Sequence, residues 1–224
     1  MKNVLLTFSI LLASLSMLSA NSISVDPFNE IRVWGNLKVI LMESEDERVN
    51  VEYGLNDVDI CVENGVLRVK RDKPLDIDSY DSPAIEVVIE YRKFYGLRVA
   101  AGAHVKNAQK IIGDQLWLEF VSGAQGRLVV EVNDLDIKTA SGAELKLSGK
   151  TYSQRTKVAT GGILRANNLL CQRTYIKSTT GGQAKIVATE TIEAKATTGG
   201  MIDYEGNPER IEISDSLGGD VRRR

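Results

Sequence analysis

The chain has 224 residues, with 28 basic side chains, 30 acidic side chains and a single histidine, so its formal net charge is −2 at neutral pH. This balance argues against a nucleic-acid-binding protein, because such proteins concentrate positive charge on one surface. One histidine also argues against a histidine metal cluster and against a histidine-based catalytic dyad.

The first segment, residues 1–20, has the features of a signal peptide. Lys2 supplies a positive charge, residues 4–18 form an apolar run interrupted by threonine and serine, and Ala20 is a suitable residue before a cleavage point. The run is short for a membrane span, and no stop-transfer pattern follows it. We therefore predict an exported mature chain, residues 21–224, without a transmembrane segment, located in the periplasm or at the outer-membrane or cell surface. A buried N-terminal helix or an uncleaved anchor is the alternative.

Residues 21–95 contain strand signals without a clear repeat. Short apolar or alternating runs occupy residues 31–33, 39–41, 49–53, 66–70 and 85–91. An acidic stretch at 43–47 and a proline-bounded stretch at 73–83 indicate loops. Because the exposed end of a repeat array is usually atypical, we predict irregular N-terminal coils with a cap over this region.

Residues 96–224 contain a short pattern that occurs seven times. It is RVAAGAHV in the first copy, KTASGAEL in the third and KATTGGMI in the sixth. The first glycines of the copies are Gly102, Gly123, Gly142, Gly161, Gly181, Gly199 and Gly218. Their spacings are 21, 19, 19, 20, 18 and 19 residues. A repeat of this length indicates a solenoid or another array of stacked units.

The residues around each glycine alternate between apolar and polar side chains. In the third copy, Ile137 and Thr139 flank Lys138 before the glycine, and Leu145 precedes Lys146 after it. A period of two is typical of a strand with one buried face, and the consensus of leucine-rich repeats is absent. We predict an all-β fold, a single-stranded right-handed parallel β-helix (β-solenoid) with coils of about 19 residues. The handedness follows from the general rule for parallel connections.

The residue before each of these glycines is small or carries a hydroxyl group in six of the seven copies. These residues are Ala101, Ser122, Ser141, Thr160, Thr180 and Thr198, and the seventh is Leu217. Glycine tolerates the positive φ of a sharp turn, so we expect a corner of the solenoid here. Stacked hydroxyl groups are expected to hydrogen-bond along the column of corners. A ligand groove along this column is the alternative.

Basic residues recur four positions before and four positions after the glycines. In a solenoid each set becomes a ladder with rungs about 4.8 Å apart, so this net acidic protein would carry a positive stripe. We predict that the stripe binds an anionic partner, such as an acidic glycan or a lipopolysaccharide. The alternative is a set of solvated side chains that oppose aggregation. The candidate binding residues are Lys106, Arg127, Lys138, Lys146, Lys157, Arg165, Lys177, Lys185 and Lys195.

Acidic residues offer two weaker candidate sites. Asp76, Asp78 and Asp81 crowd one loop and could bind Ca²⁺, but the glycine and distal glutamate of an EF-hand loop are missing, which favours a solvated loop. Asp134 and Asp136 take outward positions of the kind that β-helical polysaccharide-degrading enzymes use. The equivalent places one coil later hold a serine and an arginine, so no acidic column forms. We expect no catalytic residue, no metal and no cofactor.

Five further side chains stand alone in the sequence. His104 falls on the outward register and is expected to be an ordinary surface residue. Trp117 and Tyr175 are outward aromatic candidates for glycan binding, but they lie three coils apart and do not predict a continuous row. Cys61 and Cys171 are about five coils apart, so they are not expected to pair, because a disulfide needs Cα atoms within about 7 Å.

Several motifs, taken in order, resemble those of a known family. They are FNEIRVWG at 28–35, the apolar run 37–41, NGVLRV at 64–69, the repeated Ser-Gly corners, YEGNP at 204–208 and LGG at 217–219. The chain resembles the putative autotransporter adhesin, head GIN domain family over nearly all of the mature sequence, although its Thr-Gly-Gly and Ala-Gly-Ala corners depart from the usual Ser-Gly-Ser-Gly. The resemblance implies an exported β-helical domain common in Bacteroidetes-type bacteria, and it brings no catalytic residues.

We therefore expect an exported, non-catalytic adhesin-like or glycan/envelope-binding module. Its expected partners are an anionic glycan, a lipopolysaccharide or another envelope protein, and not nucleic acid. A structural cell-envelope protein without a small ligand is the alternative, and oligomerisation is compatible with either role. A β-helix carbohydrate-active enzyme is the third hypothesis.

Overall fold

The structure, a computed structural model, describes residues 21–71 and 83–224, and it is 69% strand. The strands coil into a β-solenoid of about 7 turns with a spacing of roughly 19 residues, which confirms the predicted fold class. Within the described ranges the one helical element is the 3₁₀ turn Leu55–Asp57, and no helix there is long and apolar enough to cross a membrane. The predicted signal peptide (residues 1–20) and the three loop aspartates Asp76, Asp78 and Asp81 lie outside the described residues.

Eighteen strands follow one another along the described chain. They are β1 (Ser22–Ser24), β2 (Glu30–Trp34), β3 (Leu37–Glu43), β4 (Arg48–Val51), β5 (Val58–Glu63), β6 (Val66–Arg71), β7 (Ile85–Tyr91), β8 (Gly96–Ala100), β9 (His104–Asn107), β10 (Ile111–Phe120), β11 (Gln125–Ala140), β12 (Glu144–Ala159), β13 (Ile163–Thr179), β14 (Gln183–Val187), β15 (Thr191–Thr197), β16 (Met201–Glu205), β17 (Arg210–Ser216) and β18 (Asp220–Arg223).

Each turn of the repeat region has one stretch of strand before the glycine corner and one after it. We call the two sides that these stretches form the pre-corner wall and the post-corner wall. The register advances by one repeat per coil, so Ile137 of β11 pairs with Thr156 of β12, which pairs with Ile176 of β13. Because the pairing is parallel and in register, equivalent residues of successive coils lie in one column. Alternate side chains are buried, and these form the core inside the coils.

Each corner is a two-residue turn in which both central residues have positive φ. Thr180 has φ 50° and Gly181 has φ 69°, and the amide of Gly182 donates to the carbonyl of Thr179 at 3.0 Å. These dihedrals match a type I′ turn, which glycine and asparagine adopt readily and β-branched residues rarely do. The same pair of positive φ values recurs at all seven corners, so the glycine period of the sequence marks the turns of the fold.

Backbone groups, not side chains, connect successive corners. The amide of Gly142 donates to the carbonyl of Thr160 at 3.2 Å, and the amide of Gly161 donates to the carbonyl of Thr180 at 3.1 Å. The corner hydroxyl groups are exposed, and within the described part of the chain they make no hydrogen bond to one another. The expected hydroxyl ladder is therefore wrong, because the turn places these side chains on the solvent side.

The residue that follows the first glycine of each corner distinguishes early coils from late ones. Gly162 packs so closely on the preceding coil that a Cβ there would lie 2.5 Å from the carbonyl oxygen of Thr139. In the first three corners the same position holds Ala103, Ala124 and Ala143, which are completely buried. The Thr-Gly-Gly corners thus belong to coils whose backbones approach too closely for any side chain.

The N-terminal coils do not stack in chain order, which the sequence did not predict. The strand β2 pairs in parallel with β6 on one side and with β8 on the other, and β3 pairs likewise with β7 and β9. The second coil of the chain therefore lies outside the first. Antiparallel pairs β5–β6, β4–β7 and β1–β4 then cover this end of the solenoid.

Among the described residues, none forms such an antiparallel cover at the other end. The strand β17 is exposed along its length, and Ile211 and Ile213, which continue interior columns, are 47% and 42% exposed. Asp215 takes the next inward place, opposite Ala196. An inward-pointing charge on a last strand discourages the addition of another strand.

Candidate ligand-binding face

The pre-corner wall carries a line of charged side chains on its outer surface, basic at every rung but one, which we call the pre-corner ladder. In order along the solenoid its rungs are Arg98, Glu119, Lys138, Lys157, Lys177 and Lys195. Neighbouring rungs are separated by one strand spacing, about 4.8 Å. The register thus brings together the four lysines that the sequence predicted for this ladder.

Only part of this ladder is neutralised by ion pairs. Glu119 accepts a hydrogen bond from Lys138 at 2.6 Å and lies 3.3 Å from Arg98. Lys157, Lys177 and Lys195 form no ion pair with any residue in the described ranges. Three successive rungs therefore present free ammonium groups to the solvent.

The post-corner wall carries the second line of basic residues, which we call the post-corner ladder. Its rungs are Lys106, Arg127, Lys146, Arg165 and Lys185, between Ile40 at one end and Asp203 at the other. Glu144 lies 2.9 Å from Arg165 and 3.3 Å from Lys146. The hydrogen bond from Arg165, with help from Lys146, lowers the pKa of the Glu144 carboxyl group, so these two rungs are partly neutralised at neutral pH.

Stacked like charges oppose the fold that holds them. Two unit charges about 4.8 Å apart repel by on the order of 1 kcal/mol in bulk water, before salt screens them. In-register pairing keeps Lys157 between Lys138 and Lys177 despite this repulsion. A bound anion would relieve it, so the unpaired part of the pre-corner ladder is a favourable place for negative charge.

A shallow depression of about 400 Å³ lies beside the pre-corner ladder. Trp117 and Tyr175 stand at its two ends, in one outward column with Asp136 and Arg155 between them. The indole of Trp117 lies over Gly96, where a Cβ would overlap the ring, so the absence of a side chain lets the indole rest on the wall. Sequence reasoning identified both aromatic residues but missed that they flank one depression.

A second depression, of about 340 Å³, lies on the post-corner wall. Lys38, His104 and Gln125 form its outer column, and Lys106 and Arg127 lie beside them. His104 is exposed, as the sequence predicted. Glu86 and Glu144 also line it, and among its described lining residues there is no Phe, Tyr or Trp, so it is a mixed-charge surface with more basic than acidic groups.

The predicted acidic candidates Asp134 and Asp136 do not continue as an acidic column on the next coil. Asp134 lies beside Ser153 in the register, and Asp136 lies 3.3 Å from Arg155. Within residues 21–71 and 83–224 no three His, Cys, Asp or Glu side chains are grouped to hold a metal ion.

The two cysteines are free and separate. Cys61 lies on β5 at the capped end, whereas Cys171 is buried on β13. Burial raises the pKa of the Cys171 thiol, with hydrogen bonds from its surroundings acting in the opposite direction. A buried, protonated thiol is a poor nucleophile, so Cys171 belongs to the core.

Several solved structures from Bacteroidetes are similar to this chain. A protein described as a putative adhesin from Bacteroides fragilis superposes with a TM-score of 0.80 at 18% identity, covering 91% of this chain and 95% of that chain. A putative adhesin from Parabacteroides merdae (19% identity) and a putative lipid binding protein from Parabacteroides distasonis (16% identity) both give a TM-score of 0.69 with the same coverage. At these identities the likeness shows the fold alone. Among curated proteins, none matches this chain.

The sequence itself matches one family profile. The match covers residues 27–208, a range that contains both ladders and the depression between Trp117 and Tyr175. The chain therefore belongs to the family described as "Putative auto-transporter adhesin, head GIN domain".

Proposed function

We propose that this chain is an exported, non-catalytic adhesin-like module that binds an anionic glycan, or the phosphate groups of a lipopolysaccharide, through its two basic ladders. The observation that carries the proposal is the run of unpaired lysines Lys157, Lys177 and Lys195 on consecutive rungs. A regular row of charges on a rigid wall suits a polymer with regularly spaced acidic groups. Because the chain belongs to a family described as putative adhesins, we place the protein in the periplasm or at the cell surface.

The name of one structural neighbour fits the same chemistry. One Parabacteroides distasonis protein with this fold is described as a putative lipid binding protein. Lipopolysaccharides carry both sugar acids and phosphate groups, so one cationic wall suits either anion. We include both as ligand classes for this chain, and the arms of the experiment separate them.

The first test is a glycan-array screen of residues 21–224, run at low and at high salt, with lipopolysaccharide vesicles as a parallel arm. We expect binding to acidic glycans that weakens at high salt, because exposed charges are screened over about 10 Å at 0.1 M ionic strength. The triple variant Lys138→Gln, Lys157→Gln, Lys177→Gln should lose most of the signal.

A matched variant separates the ladder from the total charge. Lys70→Gln, Lys93→Gln, Lys150→Gln removes the same number of charges from exposed positions outside both ladders. It should retain the binding of the unmodified protein. Equal binding by both triple variants would contradict the proposal.

A structural role in the envelope is the second candidate, and the uncovered end of the solenoid favours it. Ile211 and Ile213 are half exposed there, which suits contact with another envelope protein. A blank array together with capture of a specific envelope protein would support this role in place of glycan binding.

A further inference from the structure

Two aromatic side chains bound a four-rung segment of the pre-corner wall. Trp117, Asp136, Arg155 and Tyr175 occupy consecutive rungs of one column. Three strand spacings separate the first from the last, a span of about 14 Å. The ladder column beside them supplies Lys138, Lys157 and Lys177, which line the same depression.

The surroundings set the limits of this segment. On one side the indole of Trp117 covers Gly96 of the neighbouring coil, which closes the column there. On the other side Glu193 follows Tyr175, and Glu212 follows Glu193. Between the two aromatic residues three lysines favour an anionic ligand, whereas beyond Tyr175 the glutamates of this column offset the charge of Lys195.

Building on the proposed function, we propose that this segment binds an acidic oligosaccharide of about four sugar rings, aligned with the solenoid axis. Sugar rings stack on Trp117 and Tyr175, since aromatic faces bind the apolar C–H face of a ring. Acid groups of the sugars pair with the unpaired Lys157 and Lys177, while Lys138, which Glu119 holds at 2.6 Å, adds a further hydrogen-bond donor. Asp136 and Arg155, which lie 3.3 Å apart, are available to sugar hydroxyl groups between them.

The two tryptophans of the chain allow a direct optical test. Trp34 lies on β2, outside the depression, so the variant Trp34→Phe leaves Trp117 as the sole tryptophan. Titration with galacturonic acid oligomers of two, four and six rings should change the emission of Trp117. The affinity should increase from two to four rings and then level off.

Substitutions then separate ring stacking from charge. Trp117→Ala and Tyr175→Ala should each weaken binding of the four-ring oligomer about three- to tenfold, as expected for loss of one aromatic contact. Tyr53→Ala, which removes an exposed ring at the capped end, should leave the affinity unchanged. Inorganic polyphosphate, an anion without rings, should bind both aromatic variants as it binds the unmodified protein.

The outcomes distinguish this inference from the proposed function. If the oligomers bind through the lysines, but Trp117 emission stays constant and Tyr175→Ala binds normally, the aromatic site is refuted and the ladder proposal stands. If no acidic oligomer binds, the aromatic site is refuted, and a blank glycan array would then refute the ladder proposal as well.

Discussion

The corner threonines Thr160, Thr180 and Thr198 have φ values of 49°, 50° and 52°. A β-branched residue is strained there, because its Cβ substituents crowd the backbone, whereas asparagine is tolerated. The sequence identifies these corners through the glycine that follows, yet it gives no sign that the residue before the glycine is also left-handed. The left-handed conformation of this residue follows from the two-residue turn in the structure, in which both central residues have positive φ.

The strain at this position can be measured as stability. We expect Thr180→Asn to raise the free energy of unfolding by about 1 kcal/mol, since asparagine adopts this conformation readily. Thr180→Val keeps the branched shape without the hydroxyl group and should bring no gain. Chemical denaturation of both variants is the measurement, and equal stabilisation by the two would show that strain is not the cause.

The strands of the repeat region were predictable because one alternating pattern is copied with a nearly constant period. Most strands of the N-terminal coils were predicted as well. Their stacking order was not, for a reason visible at Asn64 and Gly65. These residues have φ 53° and 75°, the same pair of values as a solenoid corner, yet they connect β5 and β6 as an antiparallel hairpin. The local turn is identical, and only the packing of distant strands decides which structure follows.

Neighbouring coils are in close backbone contact at Gly200, and the effect of a side chain there can be predicted. A Cβ at Gly200 would overlap the carbonyl oxygen of Ser178 and lie 2.6 Å from its carbonyl carbon. Gly200→Ala should therefore lower the free energy of unfolding by about 1–3 kcal/mol, because neither backbone can move aside without breaking the ladder.

The control for this substitution is another glycine of the same sheet. Gly113 on β10 has ordinary φ, and a Cβ there would meet no atom closer than 4.0 Å. Gly113→Ala should leave stability unchanged or raise it slightly. Loss of stability in Gly113→Ala equal to that in Gly200→Ala would contradict the explanation based on coil spacing.

The whole chain has a formal net charge of −2, yet it carries the pre-corner ladder and the post-corner ladder on adjoining walls. The columns themselves were predictable, since residues one period apart must stack in a parallel solenoid. The partners were not: Glu119 neutralises the start of the pre-corner ladder, and Trp117 lies over Gly96 from the neighbouring coil. Both contacts depend on side-chain positions that a repeat pattern does not contain.

The central claim is that the pre-corner ladder binds an anionic glycan. The most direct measurement is the affinity of residues 21–224 for an acidic oligosaccharide across a series of salt concentrations, compared with the variant Lys138→Gln, Lys157→Gln, Lys177→Gln. We expect affinity that falls steeply with salt in the unmodified protein, and weaker affinity with a shallower salt dependence in the variant. The same affinity and the same salt dependence in both proteins would contradict the claim.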